Sequence, residues 1–212
     1  NSEKDTDLPH MLPKQEAWGK IMSSLGINNN DDILIYDNSD LKSSCRCWFS
    51  LLYFGHNEKK IHILNGGLKK WVFENKPLTK NKTEITESNY VANEKKNLVV
   101  NIDQIKMNIQ KKNFNVIDAR SRERYEGKVS EPRKGLRSGH IKNSFCLPFN
   151  QCINQKTGEF KNLEELRELF NYHESFEKKL DPVFTCGSGV TASVLAYAYK
   201  MINNDYIPKI YD

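Results

Sequence analysis

The residues best suited to chemistry lie in one stretch, "VFTCGSGVTASVLAYAYK", residues 183–200. A short apolar run ends in Cys186. Gly187, Ser188, Gly189, Val190 and Thr191 follow, with no charge before an apolar helical pattern takes over. The glycines let the backbone curl tightly. Curled backbone turns several N–H groups inward, and a following helix adds the positive end of its dipole. A thiolate placed there is stabilised and can act as a nucleophile. The competing use of the same cysteine is a buried thiol that ends a strand, but glycines and hydroxyls are poor packing neighbours for that role.

Spacing narrows the chemistry. A phosphate loop of the Cys-x5-Arg kind needs arginine six residues after the cysteine, where Ala192 stands. A Walker loop ends in Gly-Lys-Ser/Thr, and "GSGVTA" has no lysine. A cysteine protease needs a general-base histidine, and the histidines of the chain leave that reading open. The best fit is a nucleophilic thiolate that accepts a neutral or weakly hydrated group. Sulfur transfer through a persulfide meets that description.

The remaining cysteines, Cys45, Cys47, Cys146 and Cys152, read as reduced and mostly buried thiols. Five cysteines at irregular spacing do not form a secreted disulfide framework. Cys45-x-Cys47 has no second pair and no matching histidines, so no metal site is expected. No cofactor is implied either.

Alternating strand and helix signals must position the cysteine loop. Strands are expected at 33–36, 61–64, 116–118, 183–185 and 210–211, and helices at 43–54, 102–111, 163–172 and 190–202. The segment 77–97 is polar, aperiodic and rich in Lys, Asn and Thr, which predicts a linker. Such alternation implies an α/β fold whose mostly parallel sheets carry helices on their faces. "ILIYDNSDLKSSCRCWFSLLYF" and "PVFTCGSGVTASVLAYAY" also match in element type and order, with Asp37 falling where Cys186 falls. The first copy lacks a counterpart to "VIDARSRERYEGK", and the second stops at "KIYD", so a fragment trimmed at both ends is expected.

Composition limits the partners. The net charge of +5 is modest and the lysines alternate with acids, which favours a solvated surface over a nucleic-acid footprint. No apolar run approaches the roughly 18 residues that a membrane span needs. The polar start "NSEKDTDLPH" does not read as a signal peptide. An intracellular, reducing compartment is expected, cytoplasmic or mitochondrial.

"CGSGVTA", with "DARSRERYEGKVSEPRKGLRSGHIKNSFCLPF", resembles the two-domain rhodanese superfamily and, within it, the mercaptopyruvate sulfurtransferases. "LPHMLP", "YDNSD" and "FGHNEKKIHILNGGLKKW" resemble its N-terminal domain. The resemblance implies two tandem rhodanese-like domains: a non-catalytic one over 1–76, the linker 77–97, and a catalytic one over 98–212. Asp37 would mark the inactive copy and Cys186 the active one.

The resemblance also implies roles. Cys186 would take sulfur from 3-mercaptopyruvate, release pyruvate, and pass the sulfur to cyanide or a thiol such as thioredoxin or glutathione, or to a sulfur-carrier protein. Ser188 would join a proton relay, unless its hydroxyl only closes the turn. Arg124 and Arg133 would hold the substrate carboxylate, as guanidinium forks do. Their alternative role is ion pairing with Glu123, Glu126 and Glu131. His10 would come from the N-terminal domain, its acidic partner lying upstream of Asn1. Thr191 has a competing reading as a helix cap, Arg120 is expected to tie the strand end to the loop, and His140 belongs to a turn.

The thiosulfate-specific branch places arginine and lysine inside the cysteine loop, whereas residues 187–193 here carry no charge. Mercaptopyruvate is therefore the expected donor. A thiosulfate sulfurtransferase, a non-catalytic interaction or sulfur-relay module, and a redox sensor pairing Cys186 with Cys146 or Cys152 are the alternatives.

Overall fold

The computed structural model describes residues 10–171 and 180–212 and divides the chain into two compact units. Unit 1 comprises Asn1–Lys96 with Thr157–Glu159, and unit 2 comprises Asn97–Lys156 with Phe160–Asp212. Leu8 and Pro9 of "LPHMLP", and Tyr172 at the expected end of one helix, lie outside the described residues.

In unit 1, α1 (Gln15–Ser24) precedes β1 (Ile33–Ile35), α2 (Ser44–Tyr53), β2 (Ile61–Ile63) and α3 (Gly67–Phe73). β1 and β2 pair in parallel, Leu34 opposite His62. The α2 sequence "SCRCWFSLLY" buries Cys45, Trp48, Phe49, Leu51 and Leu52, spaced to cover one broad helix face. Trp18 of α1 stacks on Phe54 with ring centroids 4.7 Å apart.

Segment 77–95 forms no helix or strand, yet its second half is laid onto unit 1. The Asn93 N–H donates to Phe54 O and the Lys95 N–H to Tyr53 O. Tyr90 is buried and stacks parallel to buried His56.

In unit 2, β3 (Val99–Val100), α4 (Ile102–Lys111), β4 (Asn115–Asp118), α5 (Arg122–Tyr125), β5 (Ser144–Cys146), α6 (Leu163–Asn171), β6 (Pro182–Thr185), α7 (Val190–Ile202) and β7 (Ile210–Tyr211) follow in order. Among the described residues the sheet order is β3-β7-β6-β4-β5, all parallel. Every residue of β4 and β6 is buried, as expected for central parallel strands covered on both faces.

α4 begins at a capping box in which Asn101 and Gln104 each accept the other's backbone N–H at 2.9 Å. α7 is apolar almost all round, with Ala192, Val194, Leu195, Ala196 and Ala198 buried. Phe170, Phe184, Tyr199 and Tyr206 form an aromatic cluster, and the Tyr206 hydroxyl donates to Pro182 O at 2.9 Å.

Candidate functional site

The register of unit 2 brings Asp118, Thr185 and Cys146 to the carboxyl ends of β4, β6 and β5. In open parallel sheets this edge is where ligands bind. Cys186 is the next residue after β6 and is half-buried. The chain turns over residues 187–189 into α7, with Gly189 as the N-cap at φ +71°. That left-handed conformation is one L side chains resist, and it lets so short a loop close. The Ser188 N–H donates to Cys186 Sγ at 3.4 Å, so the loop backbone already addresses the sulfur.

Val190 and Thr191 lie in the first turn of α7 rather than in the loop. The cap reading of Thr191 is corrected: Gly189 occupies the cap position and no side chain caps α7 there. The tight curl needs a left-handed residue at the junction, which leaves Thr191 as the second residue of the helix.

The two arginines expected to bind substrate reach this loop. A Cβ built on Gly187 would lie 3.3 Å from Nη2 of both Arg124 and Arg133. Arg133 Nη2 donates to Gly187 O. Arg124 pairs with Glu131, Nη2 to Oε2 at 2.5 Å and Nε to Oε1 at 3.3 Å. Ion pairing and closeness to the loop thus coexist at Arg124, and among the described residues Arg133 has no ion pair.

Glu131, its side chain only 5% exposed, ties this group together. Its Oε1 also accepts from Arg120 Nη1 at 2.8 Å. Arg120 in turn grips Asp118 through Nε and Nη2 at 2.6–3.0 Å and donates to Gly139 O at 2.7 Å. Burial disfavours the Arg120 charge, but the hydrogen bonds and charge of Asp118, with Glu131, outweigh it and raise its pKa. The Arg124 hydrogen bond, followed by the charges of Arg124 and Arg120, holds the Glu131 carboxyl below the ordinary Glu value despite burial. Arg120 therefore ties strand end to loop, as expected from "DAR".

The loop between α5 and β5 is fixed at its base. His140 stacks on Tyr125 at 4.0 Å, and its Nδ1 donates to Tyr125 O at 2.8 Å. This is the turn role expected of His140. Gly127, at φ +73°, sits against Gly139, where a Cβ would come within 3.3 Å of the Gly139 nitrogen.

The other thiols of unit 2 differ in kind. Burial pushes the Cys146 thiol up to about 11 and the Cys152 thiol up to about 12, so both stay protonated at neutral pH. His10 lies in unit 1, exposed, with its backbone carbonyl accepting from Arg46 Nη2 at 2.9 Å. Asp37 also lies in unit 1, directing Oδ2 at the Ser44 N–H, the first residue of α2, at 2.6 Å. The turn after Asp37 contains no glycine, and Lys42 takes the left-handed conformation at φ +53°.

A half-buried thiol on a strand-to-helix curl, at the carboxyl edge of a parallel sheet, is placed where a reactive group would be accessible. Comparison with known proteins specifies the class: the model described as "Rhodanese-like domain" matches residues 3–74 and 101–211, and the chain belongs to the rhodanese family. It is 34% identical over its full length to the mitochondrial thiosulfate/3-mercaptopyruvate sulfurtransferase 1 of Arabidopsis thaliana, and it spans 60% of that protein's length. It is 34% identical, again over its full length, to 70% of human 3-mercaptopyruvate sulfurtransferase. The crystal structure of SseA, a 3-mercaptopyruvate sulfotransferase from Escherichia coli, superposes with a TM-score of 0.86 at 30% identity. That match covers 99% of this chain and 76% of SseA. Among the described residues no helix is long and apolar enough to cross a membrane.

Glu131 is the member of the site that the sequence reading treated only as a neighbour of arginines. Its one sequence signal is its place among Arg120, Arg124 and Arg133, which Glu123 and Glu126 share.

Proposed function

We propose that the chain is a sulfurtransferase whose unit 2 moves sulfur from 3-mercaptopyruvate to a thiol or to cyanide through a persulfide on Cys186. The carrying observation is the meeting of three groups at Gly187: the half-buried thiol beside it and the guanidiniums of Arg124 and Arg133 over it. The Cys186 thiolate attacks the substrate sulfur, forming an S–S bond as the C–S bond breaks. The electron pair remains on the pyruvate enolate, which takes a proton to give pyruvate. Ser188, two residues from the sulfur, is the nearest candidate to pass that proton. The acceptor then attacks the outer sulfur and frees the Cys186 thiolate. Splitting the transfer into two displacements lowers each barrier.

The arginines would hold the carboxylate of the donor by paired hydrogen bonds. The names of the Arabidopsis and human relatives include this donor, which supports the reading. Unit 1 is read as the non-catalytic domain over 1–76, followed by the linker 77–97 and the catalytic domain over 98–212, and His10 is proposed as a substrate-binding residue. Thioredoxin, glutathione or a sulfur-carrier protein are the acceptors proposed, in the cytoplasm or the mitochondrion.

Mass spectrometry of the full-length protein after incubation with mercaptopyruvate tests the reading. Cys186 is expected to gain one sulfur atom, and Cys186→Ser to gain none. An unmodified Cys186 in a folded protein would overturn it.

A further inference from the structure

Arg124 and Arg133 lie at Gly187, and with the ion pairs behind Arg124 they make a group of five charged side chains, three arginines and two carboxylates. Arg120 is spent on Asp118 and shares Glu131, while Arg124 holds both oxygens of Glu131. Arg133 alone has no acidic partner among the described residues, and it faces Gly187 O. The group therefore carries one net positive charge, and that charge is located on Arg133. A mercaptopyruvate carboxylate needs one. Thiosulfate, with two negative charges, needs more, and residues 187–193 offer none.

We infer that Glu131 is a positioning and specificity-determining residue: it holds the Arg124 guanidinium against the cysteine loop and sets the net charge there to suit a singly charged sulfur donor. The inference rests on the sulfurtransferase reading and deepens it. The geometry behind it is a buried carboxylate bridging two guanidiniums, one of them 3.3 Å from a Cβ built on Gly187. The carboxylate is internal and permanent, so Arg124 arrives aimed without help from substrate. It also cancels the charge that would otherwise draw a dianion.

The test compares Glu131→Gln and Glu131→Asp with the parent full-length protein, using mercaptopyruvate and thiosulfate as alternative donors and cyanide as acceptor. Glu131→Gln removes the charge at nearly constant shape. The ratio of kcat/KM for thiosulfate to that for mercaptopyruvate is expected to rise by about tenfold, since one unit of charge acts on a dianion twice as strongly as on a monoanion. Glu131→Asp keeps the charge on a shorter arm, so both donors should slow while the ratio stays at the parent value. Equal losses on both donors in Glu131→Gln would reduce Glu131 to a structural residue and overturn the inference. If Glu131→Gln does not fold, Glu131→Asp decides alone, because a ratio that moves with the charge intact also overturns it. A parent protein that turns over neither donor would instead sink the sulfurtransferase reading, a distinguishable result.

Discussion

Two strand-to-helix loops of this chain make the same kind of cradle and fill it differently. After β1, the Asp37 carboxylate turns onto the start of α2, accepting the Ser44 N–H at 2.6 Å and the Ser39 N–H at 3.4 Å. After β6, Cys186 Sγ accepts the Ser188 N–H at 3.4 Å ahead of α7. Backbone N–H groups and a helix start favour negative charge in both places. One cradle is closed by a carboxyl group, which cannot act as a sulfur carrier. The other holds a sulfur atom, which can form a bond to a second sulfur. The fold thus supplies the backbone electrostatics twice and places a different side chain in each.

The surroundings differ as much as the occupant. Arg124 and Arg133 meet at Gly187, whereas the Asp37 loop is closed by Gly67 and Leu68. The Leu68 N–H donates to Asp37 O at 2.9 Å, and a Cβ on Gly67 would come within 2.6 Å of that oxygen. The turn over 187–189 depends on a left-handed glycine, while the longer turn over 38–43 bends at Lys42 and enters α2 through Ser43 in ordinary helical geometry. A loop with more residues spreads its curvature and does not need glycine at the helix junction.

The most severe way to break the comparison is Cys186→Asp, which gives the second loop the occupant of the first. Sulfur transfer should fall by more than about a thousandfold, because the nucleophile is gone. The fold should persist, since a carboxylate suits the same N–H groups. A thermal melt close to the parent's, with activity lost, is the expected pair of readings. Unfolding of this variant would show that the two cradles are not equivalent.

Arg133→Ala comes next. It removes the guanidinium that has no acidic partner among the described residues, together with its hydrogen bond to Gly187 O. If Arg133 holds the donor carboxylate, kcat/KM for mercaptopyruvate should drop by roughly 2–3 kcal/mol, about 30- to 160-fold. A loss confined to the second, acceptor half-reaction would count against that role.

Much of this was readable before any coordinates. The helices expected at 102–111 and 190–202 coincide with α4 and α7 because each has a strong local start, Asn101 with Gln104 in one and Gly189 in the other. α1 gave no such signal. It carries Gly19 in its interior, where a Cβ would sit 3.2 Å from Tyr90 O, so a long-range contact has overridden helix propensity. β5 was missed because its sequence, Ser-Phe-Cys, lacks the run of β-branched residues that marks a strand, and parallel pairing to β4 holds it. Cys186 itself stood out through its neighbours. Its meeting with Arg133 could come only from the resemblance, since the contact to Gly187 spans 54 residues of chain. The clamp on Arg124 needed the structure, because in sequence Glu131 is one acid among several.

A smaller effect tests the geometry of the short loop. Gly189→Ala places a Cβ at φ +71° and should cost about 1–2 kcal/mol of stability in unit 2, the usual expense of a left-handed L residue. Urea denaturation of the full-length protein measures it. Replacing Ser43, its counterpart before α2, by Ala should cost less, because Ser43 has φ −62° and makes no side-chain cap. Equal losses would contradict the difference drawn between the two turns.

The mildest prediction concerns the occupant of the first cradle. Asp37→Ala removes the acceptor of the Ser44 N–H and should destabilise unit 1 by about 1 kcal/mol, the ordinary value of a helix-start cap. Persulfide formation on Cys186 should be unchanged wherever the protein is folded. Asp37→Cys in a Cys186→Ser background restores a thiol to the chain but in the wrong cradle, beside Gly67 and Leu68 rather than beside two guanidiniums. It should gain no sulfur from mercaptopyruvate. A persulfide at position 37 would mean that the cradle alone suffices, and the arginines at Gly187 would lose their part in the transfer.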